Sequence, residues 1–198
     1  MELKPVSVFK YFAEVCNVPR PSKKEEKIIA YLLDFAQKHQ LEYKTDEAGN
    51  VLIKKPATPG KENLKTVILQ SHIDMVCEKN SDVEHDFLND PIQTYVDGEW
   101  LKAKGTTLGA DNGIGMATQL AVLAADDIEH GPIECLFTVD EETGMYGAAG
   151  IDLSMLKGRM LLNIDSEEEG IFTVSCAGGA RSTIRVPVAR KPVYGPCV

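Results

Sequence analysis

Apolar residues recur three and four apart at Val6, Phe9, Phe12, Ala13 and Cys16, a helical period that Pro19 and Pro21 bring to an end. Ser22 stands three residues before Glu25, the spacing of a capping box. Ile28, Ile29, Leu32, Leu33 and Phe35 follow at helical spacing, which predicts a second helix from about Lys23 to Lys38. Strands are predicted next. Glu42 to Thr45 and Asn50 to Lys54 flank a turn-rich link and read as a hairpin. Thr66 to Gln70 is a short continuous apolar run, the pattern of a strand covered on both faces. Thr94 to Val96 and Trp100 to Ala103, joined by Asp97-Gly98, predict a second hairpin. Ile114 to Ala125 is Ala-rich and apolar nearly all round, a buried helix. Ile133 to Val139 and Met160 to Ile164 read as buried strands, and Phe172 to Cys176 and Ser182 to Val188 as antiparallel strands. Helices alternating with buried strands predict an α/β sandwich with a mixed sheet.

At 198 residues the chain exceeds one typical domain of about 150, and it has enough apolar residues to bury a sizeable core. Lys and Arg number 21 against 30 Asp and Glu, a net charge of −9. That balance argues against nucleic acid or an anionic membrane as partner, since both select basic surfaces. No run approaches the roughly 20 apolar residues that span a bilayer, and Met1 to Phe12 lacks the apolar core of a signal peptide. A cytoplasmic location is expected. The five cysteines, Cys16, Cys77, Cys135, Cys176 and Cys197, form no C-x-x-C pair. They read as reduced, small, buried hydrophobes rather than a zinc–thiolate site.

Chemistry-bearing residues gather after four apolar segments. His72 and Asp74 stand two apart at the end of a strand, where period-2 geometry puts them on one face and the carboxylate can orient the imidazole. Asp111 lies in a glycine-rich loop, Gly105 to Gly115, that runs into the buried helix. It could serve as a helix N-cap; a phosphate cradle is disfavoured because the loop has no G-K-[ST] and its Asp would repel phosphate. Asp140, Glu141 and Glu142 are adjacent acids after a strand, either solvated or compensated by a cation. Asp165 ends a further apolar strand. Ligands of open α/β sheets collect beyond the carboxyl ends of strands. One His with several carboxylates suits Zn²⁺, or less specifically Mn²⁺ or Co²⁺. Two metals about 3.5–4 Å apart, sharing one carboxylate, would use them all and leave a spare carboxylate as general base.

Ser71-His72-Ile73-Asp74, Gly109 to Gly113, Asp140 to Gly144 and Asn163 to Gly170 resemble the co-catalytic zinc exopeptidases that include carnosinase, peptidase T and acetylornithine deacetylase. Within that clan the stretches His72 to Glu78, Thr106 to Gly113 and Ser175 to Gly179 are most similar to the aminoacyl-histidine dipeptidases. The resemblance runs from Val8 to about Val188. It implies a three-layer αβα catalytic domain with a mixed sheet, two divalent ions (most simply zinc) and a small peptide of the Xaa-His or beta-alanyl-histidine type as substrate. It also implies a homo-oligomer when full length. By motif, His72 and Asp165 correspond to ligands of one zinc, Glu142 to a ligand of the other, and Asp111 to the carboxylate that bridges them. Asp74 corresponds to the acid that orients His72, and Glu141 to the general base. The resemblance further implies a cis bond between Asp111 and Asn112, where the alternative is an ordinary trans N-cap.

The family draws the last ligand of its second zinc, a His, from near the end of a much longer chain, and His39, His85 and His130 match no such motif. The chain is therefore expected to be the N-terminal portion of a longer enzyme. On that reading residues 1–185 form part of the catalytic domain, incomplete at its C-terminus, and 186–198 start the connection to a lid or dimerisation domain. An N-acyl amino acid deacylase of the same clan is the alternative. A catalytically dead binding module is a further one, although it would be expected to lack Glu141 or Asp111, and both are present.

Overall fold

The computed structural model describes residues 3–166, 168, 170–175, 178–179 and 182–189. It divides into two units, Met1–Glu167 and Glu168–Val198, each described by itself.

In the first unit helices α1 (Val6–Cys16) and α2 (Glu26–Lys38) precede a hairpin of β1 (Glu42–Thr45) and β2 (Val51–Lys55). Strand β3 (Val67–His72) follows, then a separate two-stranded hairpin of β4 (Thr94–Asp97) and β5 (Trp100–Ala103). Helix α3 (Ala110–Ala124), β6 (Ile133–Thr138), the short α4 (Tyr146–Ala149) and β7 (Met160–Asn163) complete it. The main sheet has the order β1-β2-β6-β3-β7. Strands β1, β2 and β6 pair antiparallel, whereas β3 runs parallel to both β6 and β7. The expected mixed α/β sheet is thus present. No helix among the described residues is long and apolar enough to cross a membrane.

Alternation along the central strands sorts the core. Val51, Ile53, Cys135 and Phe137 pack with Phe12, Val15, Ile28, Leu32, Met116 and Leu120 from α1, α2 and α3, so these three helices share one face. Leu52, Ile68 and Leu136 point the other way, onto Met155 with Ile151 and Leu156. Among the described residues, α1, α2 and α3 form the helical layer of the expected three-layer architecture on the first face, and on the second a single 3-10 turn at Leu153–Met155 supplies the cover. Cys16 and Cys135 are buried as expected and Cys77 is half-buried, whereas Cys176 and Cys197 lie outside the described residues.

Three expectations need correction. Helix α2 begins at Glu26, and Ser22 with Glu25 makes no capping box: the Ser22 hydroxyl donates to Asp74 Oδ2 at 2.7 Å, and Glu25 Oε1 accepts from the Lys23 and Asp140 amides. Strand β7 is exposed along its whole length rather than buried. It is an edge strand paired only with β3 among the described residues, and an apolar run signals a surface to be covered without supplying the cover. In the second unit, residues 172–175 and 182–188 form no strand. The side chains of Phe172, Val174, Ile184, Val186 and Val188 are exposed, and alternation makes a stable strand only where a neighbour and a buried face accept it. Glu167, Glu169, Cys176 and Ala177 of the sequence motifs, and 190–198 of the expected connection, lie outside the described residues.

Candidate metal centre

Because β3, β6 and β7 run parallel, their carboxyl ends open on one side of the sheet. His72 pairs with Thr138 at the last rung of β3 and β6, and the Ile73 amide continues the ladder to Thr138 O at 2.9 Å. Asp74 follows β3, Glu141 and Glu142 follow β6, Asp165 follows β7, and Asp111 stands in the first turn of α3. The turn after β6 is made by Asp140 at φ 49°, a left-handed conformation that Asp tolerates, and is braced by the Met145 amide on Glu141 O.

All six sequence-predicted residues meet there. His72 Nδ1 lies 3.2 Å from Asp74 Oδ1, while Nε2 lies 2.9 Å from Asp111 Oδ1, 3.7 Å from Asp165 Oδ1 and 4.0 Å from Glu141 Oε2. Donor atoms of His72, Asp111 and Asp165 fall within 4.8 Å of one another, as do those of His72, Glu141 and Glu142. Asp111 does not cap its helix; the N-cap is Gly109 at φ 69°, and the Asp111–Asn112 bond is cis, as the resemblance implies. Asn112 Nδ2 donates to Asp165 Oδ1 at 2.7 Å and so joins α3 to the segment after β7.

Asp74 is fully buried and accepts from four donors: His72 Nδ1, the Ser22 hydroxyl and the Glu141 and Glu142 amides. Burial alone would push its carboxyl up, but the His72 ring, the Glu141 amide and Ser22 outweigh it and hold the group at about 2. Burial pulls the His72 imidazole down, but Asp74 and Asp111 reverse this and raise it to about 9. Partial burial raises Glu141, Glu142 and Asp165, with neighbouring carboxylates adding to the rise and His72 opposing it. No Lys or Arg side chain among the described residues forms an ion pair with these acids. Four carboxylates and one imidazole, crowded and with no Lys or Arg in an ion pair with them among the described residues, form a donor set that fits divalent cations with N/O preference. Two clefts share Asp111: one of about 320 Å³ lined by Val76, Thr107, Leu108 and Glu142, the other of about 290 Å³ lined by Asn112, Ile114, Ile164 and Asp165.

Sequence reasoning missed two buried polar side chains that hold this edge together. Asn50 Oδ1 accepts from the Val139 amide and its Nδ2 donates to Gly147 O and Asp46, which fixes the bend after β6. Arg20 bonds the main chain behind Asp74 and Asp111. The Gly49-Asn50 turn marked Asn50 only as a hairpin residue, and a lone Arg between prolines gives no signal of burial.

A cytosol non-specific dipeptidase of Escherichia coli is 50% identical over 192 residues, which are 97% of this chain and 40% of the relative. A crystal structure of aminoacylhistidine dipeptidase from Vibrio alginolyticus superposes with a TM-score of 0.83 at 58% identity, over 85% of this chain and 34% of that one. Aminopeptidase PepT from Bacillus cereus superposes with a TM-score of 0.70 at 25% identity, over 82% of this chain and 43% of that one. The chain thus spans about 40% of the length of this Escherichia coli relative. The profile of peptidase family M20/M25/M40 matches residues 68–185, more than half of the chain. Since that stretch carries His72, Asp74, Asp111, Glu141, Glu142 and Asp165 on one strand-end edge, the chain belongs to peptidase family M20/M25/M40.

Proposed function

We propose that the protein is a metal-dependent dipeptidase acting on small peptides of the Xaa-His type in the cytoplasm, and that it assembles as a homo-oligomer when full length. The observation that carries this reading is the convergence of His72 with four carboxylates, none of them in an ion pair with a Lys or Arg among the described residues. The names of the Escherichia coli and Vibrio alginolyticus relatives support the substrate class, and the former supports the location. His72 and Asp165 would hold one ion, Glu142 a second, and Asp111 both. Zinc suits the set best, with Mn²⁺ or Co²⁺ as substitutes. Divalent ions held there would supply Lewis acidity, making a water nucleophilic near neutral pH and polarising the scissile carbonyl.

The chain's own groups do the rest. Asp74 accepts from Nδ1 of His72 and so aims Nε2 at Asp111, where a bound divalent ion would take the place of the Nε2 proton. Asp74 also accepts the Glu141 amide, so the base and the imidazole are referred to one carboxylate. Glu141 would take the proton of the attacking water and deliver it to the leaving amine. The clefts beside Asp111 can receive the two sides of a short peptide. Metal analysis of the purified protein tests the reading: one or two divalent ions per chain are expected, lost on Asp111→Ala and kept on Glu141→Gln. A parent protein that takes up no divalent ion would refute it.

A further inference from the structure

Arg20 is only 2% exposed, and its guanidinium meets main-chain carbonyls rather than a carboxylate side chain. Nη1 donates to Ile73 O at 3.1 Å and to Asp74 O at 2.8 Å, and Nη2 donates to Gly109 O. A buried cation is costly and an apolar side chain could fill the same volume, so this arrangement calls for a reason. The surroundings are shaped to admit the group. A Cβ at Gly109 or at Gly113 would lie 2.5 or 2.7 Å from Nη2, so a side chain at either position would have to displace the guanidinium. The main chain of Arg20 is fastened as well: its carbonyl accepts the Met75 amide at 3.1 Å, and Pro21 bridges Met75 in parallel.

These contacts have a common direction. Ile73 and Asp74 directly follow His72, and Gly109 stands two residues before Asp111. The fork therefore spans from the segment that carries His72 and Asp74 to the helix start that carries Asp111. The 2.9 Å approach of His72 Nε2 to Asp111 Oδ1 lies across the same gap. We propose that Arg20 is a positioning residue whose guanidinium sets the spacing between His72 and Asp111, and with it the spacing at which the site's donors meet a divalent ion. The inference rests on the metal-binding reading above.

The sign of the effect separates positioning from charge. Arg20 places a positive charge behind an acidic site, so electrostatics alone would make its removal tighten a divalent cation. Loss of positioning weakens it. The fork also matters more than the charge, since a Lys ammonium offers a point donor that cannot bond both segments with planar geometry.

Titration of the purified protein with Co²⁺, followed by visible d–d absorption, reads both affinity and ligand geometry. Thermal melting of the metal-free protein, measured in parallel, reports whether each variant is folded at the titration temperature. R20K and R20Q are expected to lower Co²⁺ affinity about 10–100-fold, the usual effect of losing a group that orients a ligand, and to change the absorption spectrum while folded. Where neither variant folds, G113A, whose Cβ would crowd Nη2, is expected to weaken Co²⁺ binding in the same direction. Parent-like affinity and spectrum in a folded Arg20 variant, or in G113A where that is the one that folds, or any tightening of Co²⁺, would overturn the proposal. A parent protein that binds Co²⁺ while the variants match it sinks this inference alone; a parent that binds none sinks the metal reading beneath it.

Discussion

Replacing Asp74 by Ala should destabilise the metal-free protein more than its small size suggests. The side chain is fully buried and serves four donors. The half-buried Ser22 hydroxyl can turn to water. His72, 1% exposed, cannot rehydrate Nδ1 without moving, and the Glu141 amide is pinned at the bend after β6. A buried donor left without a partner costs about 1–3 kcal/mol, so the three remaining donors, His72 Nδ1 and the Glu141 and Glu142 amides, put the loss near the lower end of their sum, roughly 3–5 kcal/mol, in line with breaking other buried charged pairs. Asp74→Asn keeps one acceptor oxygen but turns an amide N–H₂ toward the Glu142 amide, and about half the loss is expected. The measurement is urea unfolding at pH 7 with a chelator present, comparing midpoints at constant slope. The folded pKa of about 2 lies below the unfolded value of about 3.9, so the contribution is complete above about pH 4 and fades as pH falls toward 2. The gap between parent and variant should narrow in that window. A loss below about 1 kcal/mol for Asp74→Ala at pH 7 would show that the strand-end loops do not depend on this carboxylate.

The remaining expectations concern metal and packing. If the proposed function holds, Glu141→Gln should retain divalent ions by elemental analysis while dipeptide turnover falls about 10²–10⁴-fold, and near-parental turnover would remove Glu141 from the base role. Asp111→Ala should lose both ions together, and retention of one at parental affinity would show that no carboxylate is shared. Gly115→Ala would push a Cβ into the Asn112 side chain and to 2.8 Å from Ile164 O, so a loss of about 1–3 kcal/mol in unfolding free energy is expected. An unchanged midpoint would mean that α3 can shift freely against the segment after β7. Chelation should lower the melting temperature, and added Zn²⁺ should restore it in proportion to the logarithm of free ion concentration; a melting temperature indifferent to both would deny native-state binding.

The site was legible because its parts sit where strand periodicity ends. His72 and Asp74 fall two apart, and Glu141, Glu142 and Asp165 each follow an apolar run, so their side of the sheet could be read without coordinates. Both hairpins were legible for the same local reason. What the sequence did not disclose depends on distant partners. Ser22 has the spacing of a helix cap, yet a buried carboxylate 52 residues away claims its hydroxyl. Residues 172–175 and 182–188 alternate as strands do, but alternation describes a face and says nothing of a neighbour to pair with. Arg20 is the extreme case, since charge predicts exposure and only the carbonyls of three other residues explain its burial.

The joins at the strand-end edge also set an order of events during folding. The Glu141 amide reaches Asp74 over 67 residues of chain, Asn112 reaches Asp165 over 53, and His72 reaches Asp111 over 39. None of these closures is local, and each must overcome loop entropy before it is rewarded. Hairpin β1–β2 and helix α1 can form early from neighbouring residues, whereas the donor cluster exists only once the parallel strands have found one another. An ion arriving during synthesis would meet scattered carboxylates of little affinity. On the proposed metal-binding reading, capture of an ion would come at the end of folding, as a seal on a finished sheet rather than a nucleus for one.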